Sequence, residues 1–237
     1  MEKVGKFFLG IMDSFYNTLI YDNRYKYILE GLFNTIIIAL FAVVIGIIIG
    51  TIVALIRDNH DKNGKLVVLN GLAKAYVNII RGTPVILQLM IIYYVIFKSV
   101  NINIVIVSIL AFGINSGAYV SEIIRAGINS ISVGQTEAGY ALGFKYGEVM
   151  RLIVLPQAIK NILPALGNEF VTLIKETSVG AYIGVVELTK ASDIIASRTY
   201  DYFFPLIIIA VIYLILTVGL SKLMSRLERK LNNDARN

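Results

Sequence analysis

The 237-residue chain contains no cysteine, which removes disulfide scaffolds, thiolate-held zinc, iron–sulfur clusters and thiol nucleophiles together. It contains a single histidine, His60, within the polar stretch RDNHDKNGK. A lone histidine there reads as an exposed loop side chain, without companions for metal binding or base catalysis. A phosphate-binding loop is also missing. Gly5-Lys6 and Gly64-Lys65 lack the first glycine and the following Ser or Thr that a Gly-x-x-x-x-Gly-Lys-Ser/Thr loop requires, so the chain does not hydrolyse ATP by itself. Charge is scarce, with 16% Asp, Glu, Lys and Arg. What fills the space is apolar: 57% hydrophobic residues and a mean hydropathy of +0.73, outside the range of soluble domains.

A hydrocarbon core about 30 Å thick needs roughly 20 apolar residues of helix. Runs of that kind lie near residues 29–56, 84–98 with helix extending backward from it, 104–124, 152–174 and 202–224. The expected fold is an all-α polytopic membrane protein with five transmembrane helices. The Lys/Arg distribution orients it. Arg57, Lys62, Lys65, Lys74 and Arg81, then Arg125, Lys145, Arg151 and Lys160, then Lys222, Arg226, Arg229, Lys230 and Arg236 put 14 of 22 basic residues on one side. The N-terminus is therefore expected outside and the C-terminus in the cytoplasm.

The expected organisation is an amphipathic interfacial segment at 1–26, a membrane domain at 27–227 with a polar loop at about 132–150, and a polar cytoplasmic tail at 228–237. Lys3 and Lys6 precede FFLGIM, but the apolar run ends at Asp13 with no small-residue cleavage site, which favours an interfacial helix over a signal peptide. The net charge of +6 is spread between apolar spans, so it argues for membrane topology and against nucleic acid. Arg81-Gly82-Thr83-Pro84 breaks the second span, and an interfacial helix over 65–80 is expected to lead into it.

The loop between the third and fourth spans reads EAGYALGFKYGEVMRLIVLP from 137 to 156. It resembles the EAA loop of ABC importer permeases: Glu137 and Ala138 open it, Gly143 follows six residues after the Glu, and Ile153, Leu155 and Pro156 close it, with Gly139 standing where the family usually has Ala. Ser132 offers an N-cap and Gly143 a left-handed stop for a short helix. By the resemblance, Ser132 to Gly147 contacts a separate ATPase subunit. Gly134, Gln135, Glu137, Ala138, Tyr140, Gly143 and Phe144 are its candidate coupling residues.

The stretches YVNIIRGTPVILQL (76–89), AYVSEIIRAGINSISVGQTEAGYALG (118–143), LPALGNEFVTLIKETSV (163–179) and GVVELTKAS (184–192) look like the polar amino acid subfamily. That resemblance implies a bacterial cytoplasmic-membrane permease working by alternating access. Its implied partners are an ABC ATPase that binds ATP and Mg, a second permease chain (identical or a close paralogue), and an extracytoplasmic amino acid binding protein. This chain itself carries no cofactor.

Polar residues inside apolar spans are costly and face protein or water. Asn115, Ser116, Tyr119 and Glu122 on the third span, and Gln157, Asn161, Asn168, Glu169 and Thr172 on the fourth, form two stripes that are the candidate substrate pathway. Asn115, Glu122, Asn161 and Asn168 are expected to touch one amino acid near the midplane, beside the carbonyl that Pro164 frees. Hydrogen bonding between helices explains each of them as well. The acidic members favour a basic cargo such as arginine, lysine or histidine, although Arg125 three residues from Glu122 is a natural partner for it. Gly46/Gly50 and Gly113/Gly117 allow close helix approach, either within the chain or between two copies. The late loop 180–200 is expected outside, where a binding protein docks. The rival readings are a permease for another small cargo, an ion-gradient-driven transporter, which leaves the 137–156 loop unexplained, and a scaffold protein, which leaves the intramembrane polar residues unexplained.

Overall fold

The computed structural model describes residue 10 and residues 12–233, and all regular structure among them is helical. Helix α1, Tyr25–Asn63, is 39 residues or about 58 Å long. It overshoots the hydrocarbon core, so its last turns carry Arg57, Asp58, Asp61 and Lys62 clear of the apolar run. It stops at Gly64, whose φ of 65° lets its N–H close onto the His60 carbonyl. Helix α2, Val67–Gly82, is amphipathic and buries Asn70, Ala73 and Val77. After the extended pair Thr83-Pro84 the chain resumes as α3, Val85–Ile96, at 110° to α2. The bend falls at the Arg-Gly-Thr-Pro break.

Helix α4, Ile104–Asn129, begins at Asn103, whose side chain accepts the Val105 N–H at 2.8 Å. The short α5, Val133–Ala141, precedes α6, Tyr146–Ile183, which has Pro156 and Pro164 inside it. Helix α7, Leu188–Thr199, and α8, Phe203–Asn233, complete the fold. Four helices, α1, α4, α6 and α8, are long and apolar enough to cross a membrane, and the bent α2–α3 pair makes five if it counts as one span. Residues 1–9 and 11 of the expected interfacial segment at 1–26 lie outside the described residues. The part from Met12 onward exposes Phe15, Tyr16 and Ile20. The expected tail begins within α8, which runs on to Asn233, and residues 234–237 lie outside the described residues.

The core is built on α1 against α4. Gly46 lies on Ser116, Gly50 on Val120 and Ser121, Gly113 on Ile45, and Gly117 on Ile49. Both small-residue patterns are therefore used inside the chain. A Cβ at Gly50 would stand 2.6 Å from Val120 Cγ1 and 2.8 Å from the Ser121 nitrogen, and a backbone atom on the neighbouring helix cannot move aside. Gly50→Val is expected to cost about 2 kcal/mol, read as a lowered melting temperature in detergent. An unchanged melting temperature would contradict this packing.

At the opposite end, Gly31 packs on the Glu187 backbone and Asn34 Nδ2 donates to the Val186 carbonyl at 2.7 Å. The buried Glu187 carboxylate caps α7 by accepting the Thr189 and Lys190 N–H groups at 2.8 and 2.7 Å, and it accepts the Tyr213 hydroxyl at 3.0 Å. Burial pushes its carboxyl above the ordinary range, against the pull of these bonds. One side chain thus ties α7 to α8.

Candidate coupling segment and polar column

α5 has Ser132 at its N-cap position, although the serine side chain makes no capping bond. Its C-terminus is closed firmly. Gly143, at φ 84°, donates its N–H to the Tyr140 carbonyl at 2.9 Å, and Phe144 donates to the Gly139 carbonyl at 3.1 Å. Two carbonyls left open by the end of the helix are satisfied in this way. The next helix starts at once: Glu148 Oε2 accepts the Lys145 N–H at 2.7 Å. The turn is thus defined from both sides.

Gly139, the departure from the family's alanine, is the only buried residue of α5. A Cβ there would meet Ile153 Cδ1 at 2.8 Å and Val149 Cγ2 at 2.9 Å, so glycine lets α5 lie directly on the first turns of α6. Gly134, Gln135, Glu137, Ala138, Tyr140, Gly143 and Phe144 are all exposed. Val133 and Leu142 stand beside them at 70% and 75% exposure. The result is a mixed polar and apolar face of the kind that marks an interaction surface.

Ion pairs gather near this segment. Asp58, buried on α1, accepts the Tyr146 hydroxyl at 2.6 Å and pairs with Lys62 at 2.9 Å. Glu122 pairs with Arg57, not with Arg125, which instead meets Asp61 at 2.9 Å. The expected pairing along α4 is corrected because α1 runs alongside and presents Arg57 and Asp61, one turn apart, to Glu122 and Arg125. Arg81 reaches from α2, 3.9 Å from Glu122 Oε2 and 5.5 Å from the Tyr119 ring centroid.

The intramembrane polar residues divide by height. Ser116 Oγ donates to Glu169 Oε1 at 2.7 Å, joining α4 to α6. At the same level Asn115 is buried and donates to Gln88 Oε1 at 2.8 Å. Gln88 in turn donates to the Ile80 carbonyl at 2.7 Å and to the Thr83 hydroxyl at 2.8 Å, locking the α2–α3 bend. Asn161 bonds Ser130 Oγ at 2.8 Å, and Gln157 bonds the Ile153 carbonyl of its own helix at 2.8 Å. Asn168 is exposed, Thr172 is half-buried, and Tyr119 is 37% exposed.

Ser130 lies 15 positions beyond Asn115, about 22 Å along the helix. Asn115 and Asn161 therefore cannot touch one amino acid, and the expected four-residue site resolves into a column. The groove beside Pro164, about 530 Å³, is lined mainly by apolar side chains, among them Val43, Ile47, Leu166, Phe170 and Met224. Sequence reasoning missed Gln88, whose signal was one amide in the apolar run VILQLM, and Glu176. Glu176 lies two turns beyond Glu169 on the same face and forms no ion pair among the described residues.

Residues 46–233 match the family described as binding-protein-dependent transport system inner membrane component. The chain is 40% identical over 213 residues to GlnP of Rickettsia prowazekii strain Madrid E, by its name a glutamine transport system permease protein, covering 89% of this chain and 95% of that protein. It is 40% identical over 210 residues to the arginine transport system permease protein ArtQ of Bacillus subtilis, covering 88% and 94%. A crystal structure of an amino acid ABC transporter with histidines matches at TM-score 0.81 and 42% identity, over 87% of this chain and 94% of that one. An inward-facing MetNI methionine ABC transporter matches at TM-score 0.72 and 20% identity, covering 87% and 97%, which bears on the fold alone.

Proposed function

We propose, from the premise that this chain belongs to the family of binding-protein-dependent transport system inner membrane components, that it carries basic amino acids inward through a column between α4 and α6, driven by an ATPase docked on residues 132–147. The chain is a non-catalytic, multi-pass permease subunit of a bacterial amino acid ABC importer, and nucleotide binding belongs to the ATPase partner. The proposed orientation has the N-terminus outside and the C-terminus, with α5, in the cytoplasm. The lysine and arginine distribution supports it, as does the clustering of Arg57, Lys62, Arg81 and Arg125 about one end of the helices. The assembly contains a second permease chain and receives cargo from an external binding protein.

The observation that carries the coupling role is the exposed face of α5, held in one shape by the Gly143 turn and seated on α6 through Gly139. For the pathway we assign Asn115, Ser116, Tyr119, Glu122, Gln157, Asn161, Asn168, Glu169 and Thr172. Arg57 neutralises Glu122, so the acid available to a cationic side chain is Glu169, with Glu176 beyond it on the same face. Relatives named for glutamine and arginine transport support a polar cargo. Within that class the acidic face favours arginine, lysine or histidine.

In the purified complex with its ATPase and binding protein, arginine is expected to stimulate ATP hydrolysis more than glutamine does, and Glu169→Gln is expected to erase the preference. Equal stimulation by both, unmoved by Glu169→Gln, would overturn the basic-cargo reading.

A further inference from the structure

Tyr146 stands at the seam between the exposed segment and α6, three residues after the Gly143 turn, and its hydroxyl is turned toward α1. It donates to Asp58 Oδ2 at 2.6 Å across 88 positions of sequence. Lys62, one turn further along α1, holds the other oxygen of the same carboxylate at 2.9 Å, with its ammonium 5.5 Å from the Tyr146 ring centroid. Asp58 is thereby fixed on both oxygens. A hydrogen bond to an ionised acceptor is short, strong and directional, so it transmits displacement that a sliding apolar contact absorbs.

The contacts on either side of this bond form a continuous path. α5 rests on Val149 and Ile153 of α6 through Gly139, Tyr146 joins that first turn of α6 to α1, and the Arg57–Glu122 and Asp61–Arg125 pairs join α1 to α4. α4 contributes Ser116 to the column.

We propose that the Tyr146–Asp58 hydrogen bond is the strut through which movement of the coupling segment reaches α1 and then α4. Tyr146 is thus a positioning residue for the coupling of ATP hydrolysis to transport. This inference rests on the reading of residues 132–147 as the ATPase contact. On it, the end of α1 that bears the ion pairs and the first turns of α6 move as one body during the cycle.

Because the chain has no cysteine, spin labels can be placed on it singly or in pairs without background from this chain. Asn63→Cys at the end of α1 and Leu152→Cys on α6, both exposed, are labelled in the full complex in lipid. Their separation is measured by double electron–electron resonance without nucleotide and with ATP trapped, alongside uptake and ATP hydrolysis. The expected result is an unchanged separation in the parent.

Tyr146→Phe keeps the ring but not the bond. With it, the separation is expected to change on ATP trapping, and the amino acid transported per ATP to fall several-fold while the ATPase stays bound. Asp58→Ala, which removes the acceptor, is expected to uncouple in the same way, and adding it to Tyr146→Phe is expected to cause no further loss. A parent separation that changes on ATP trapping, or a Tyr146→Phe complex that transports as much per ATP as the parent, would overturn the strut alone. A parent chain that does not retain the ATPase would overturn the reading beneath it, and the strut with it.

Discussion

Gly143→Val is expected to reduce ATP-driven uptake by about tenfold or more while the protein still inserts and folds. Position 143 sits at φ 84°, and nothing lies within 4 Å of where a Cβ would be, so the substitution meets no steric wall and acts only through the backbone. A non-glycine residue in the left-handed region costs about 1–2 kcal/mol, more when β-branched. A shift of about 1.4 kcal/mol changes a population tenfold. The two hydrogen bonds that close α5 depend on that conformation, so the exposed face of α5 loses its shape before the membrane helices lose theirs. Gly143→Asn, which tolerates positive φ, is expected to retain most activity. The check is uptake by both variants at matched membrane levels; equal activity of the valine and asparagine variants would show that the turn is not what orients the segment.

The second large effect is one of stability. Glu122→Ala is expected to destabilise the protein by about 2–3 kcal/mol, because removing one partner of a half-buried pair leaves the other charge unpaired. The Arg57 side chain is 13% exposed, and its Nε already lacks a hydrogen-bond partner. Glu122 is 35% exposed, which places the figure between those of exposed and fully buried pairs. Arg57→Ala combined with Glu122→Ala is expected to cost less than the sum of the single changes, because no lone charge is left behind. Melting curves of the three variants in one detergent decide this, and additive losses would mean that the two side chains act independently.

Much of this architecture is legible in the amino-acid order because lipid punishes irregular backbone. The long apolar runs had to be helical, proline and glycine at 82–84 had to break the second of them, and Gly143 had to end α5. Pairings between distant residues are not legible in the same way. Whether Glu122 meets Arg125 on its own helix or Arg57 on another depends on the rotation of α1 about its axis, which follows from how Gly46 and Gly50 seat on Ser116 and Val120. The stripe Asn115, Tyr119, Glu122 is correct as a helical face, yet periodicity does not say that Asn115 is already spent on Gln88. Nor does it report height, which separates Asn161 from Asn115. Gly139 reads as a blemish in a motif until Val149 and Ile153 are seen against it.

Import powered by ATP is tested most directly by the uptake of labelled arginine into vesicles carrying this chain with its ATPase subunit, supplied with binding protein, and with ATP on the side that the ATPase faces. The predicted result is accumulation that requires ATP and the ATPase and persists when proton and sodium gradients are collapsed. Accumulation by the chain alone, driven by an imposed ion gradient without the ATPase, would contradict it.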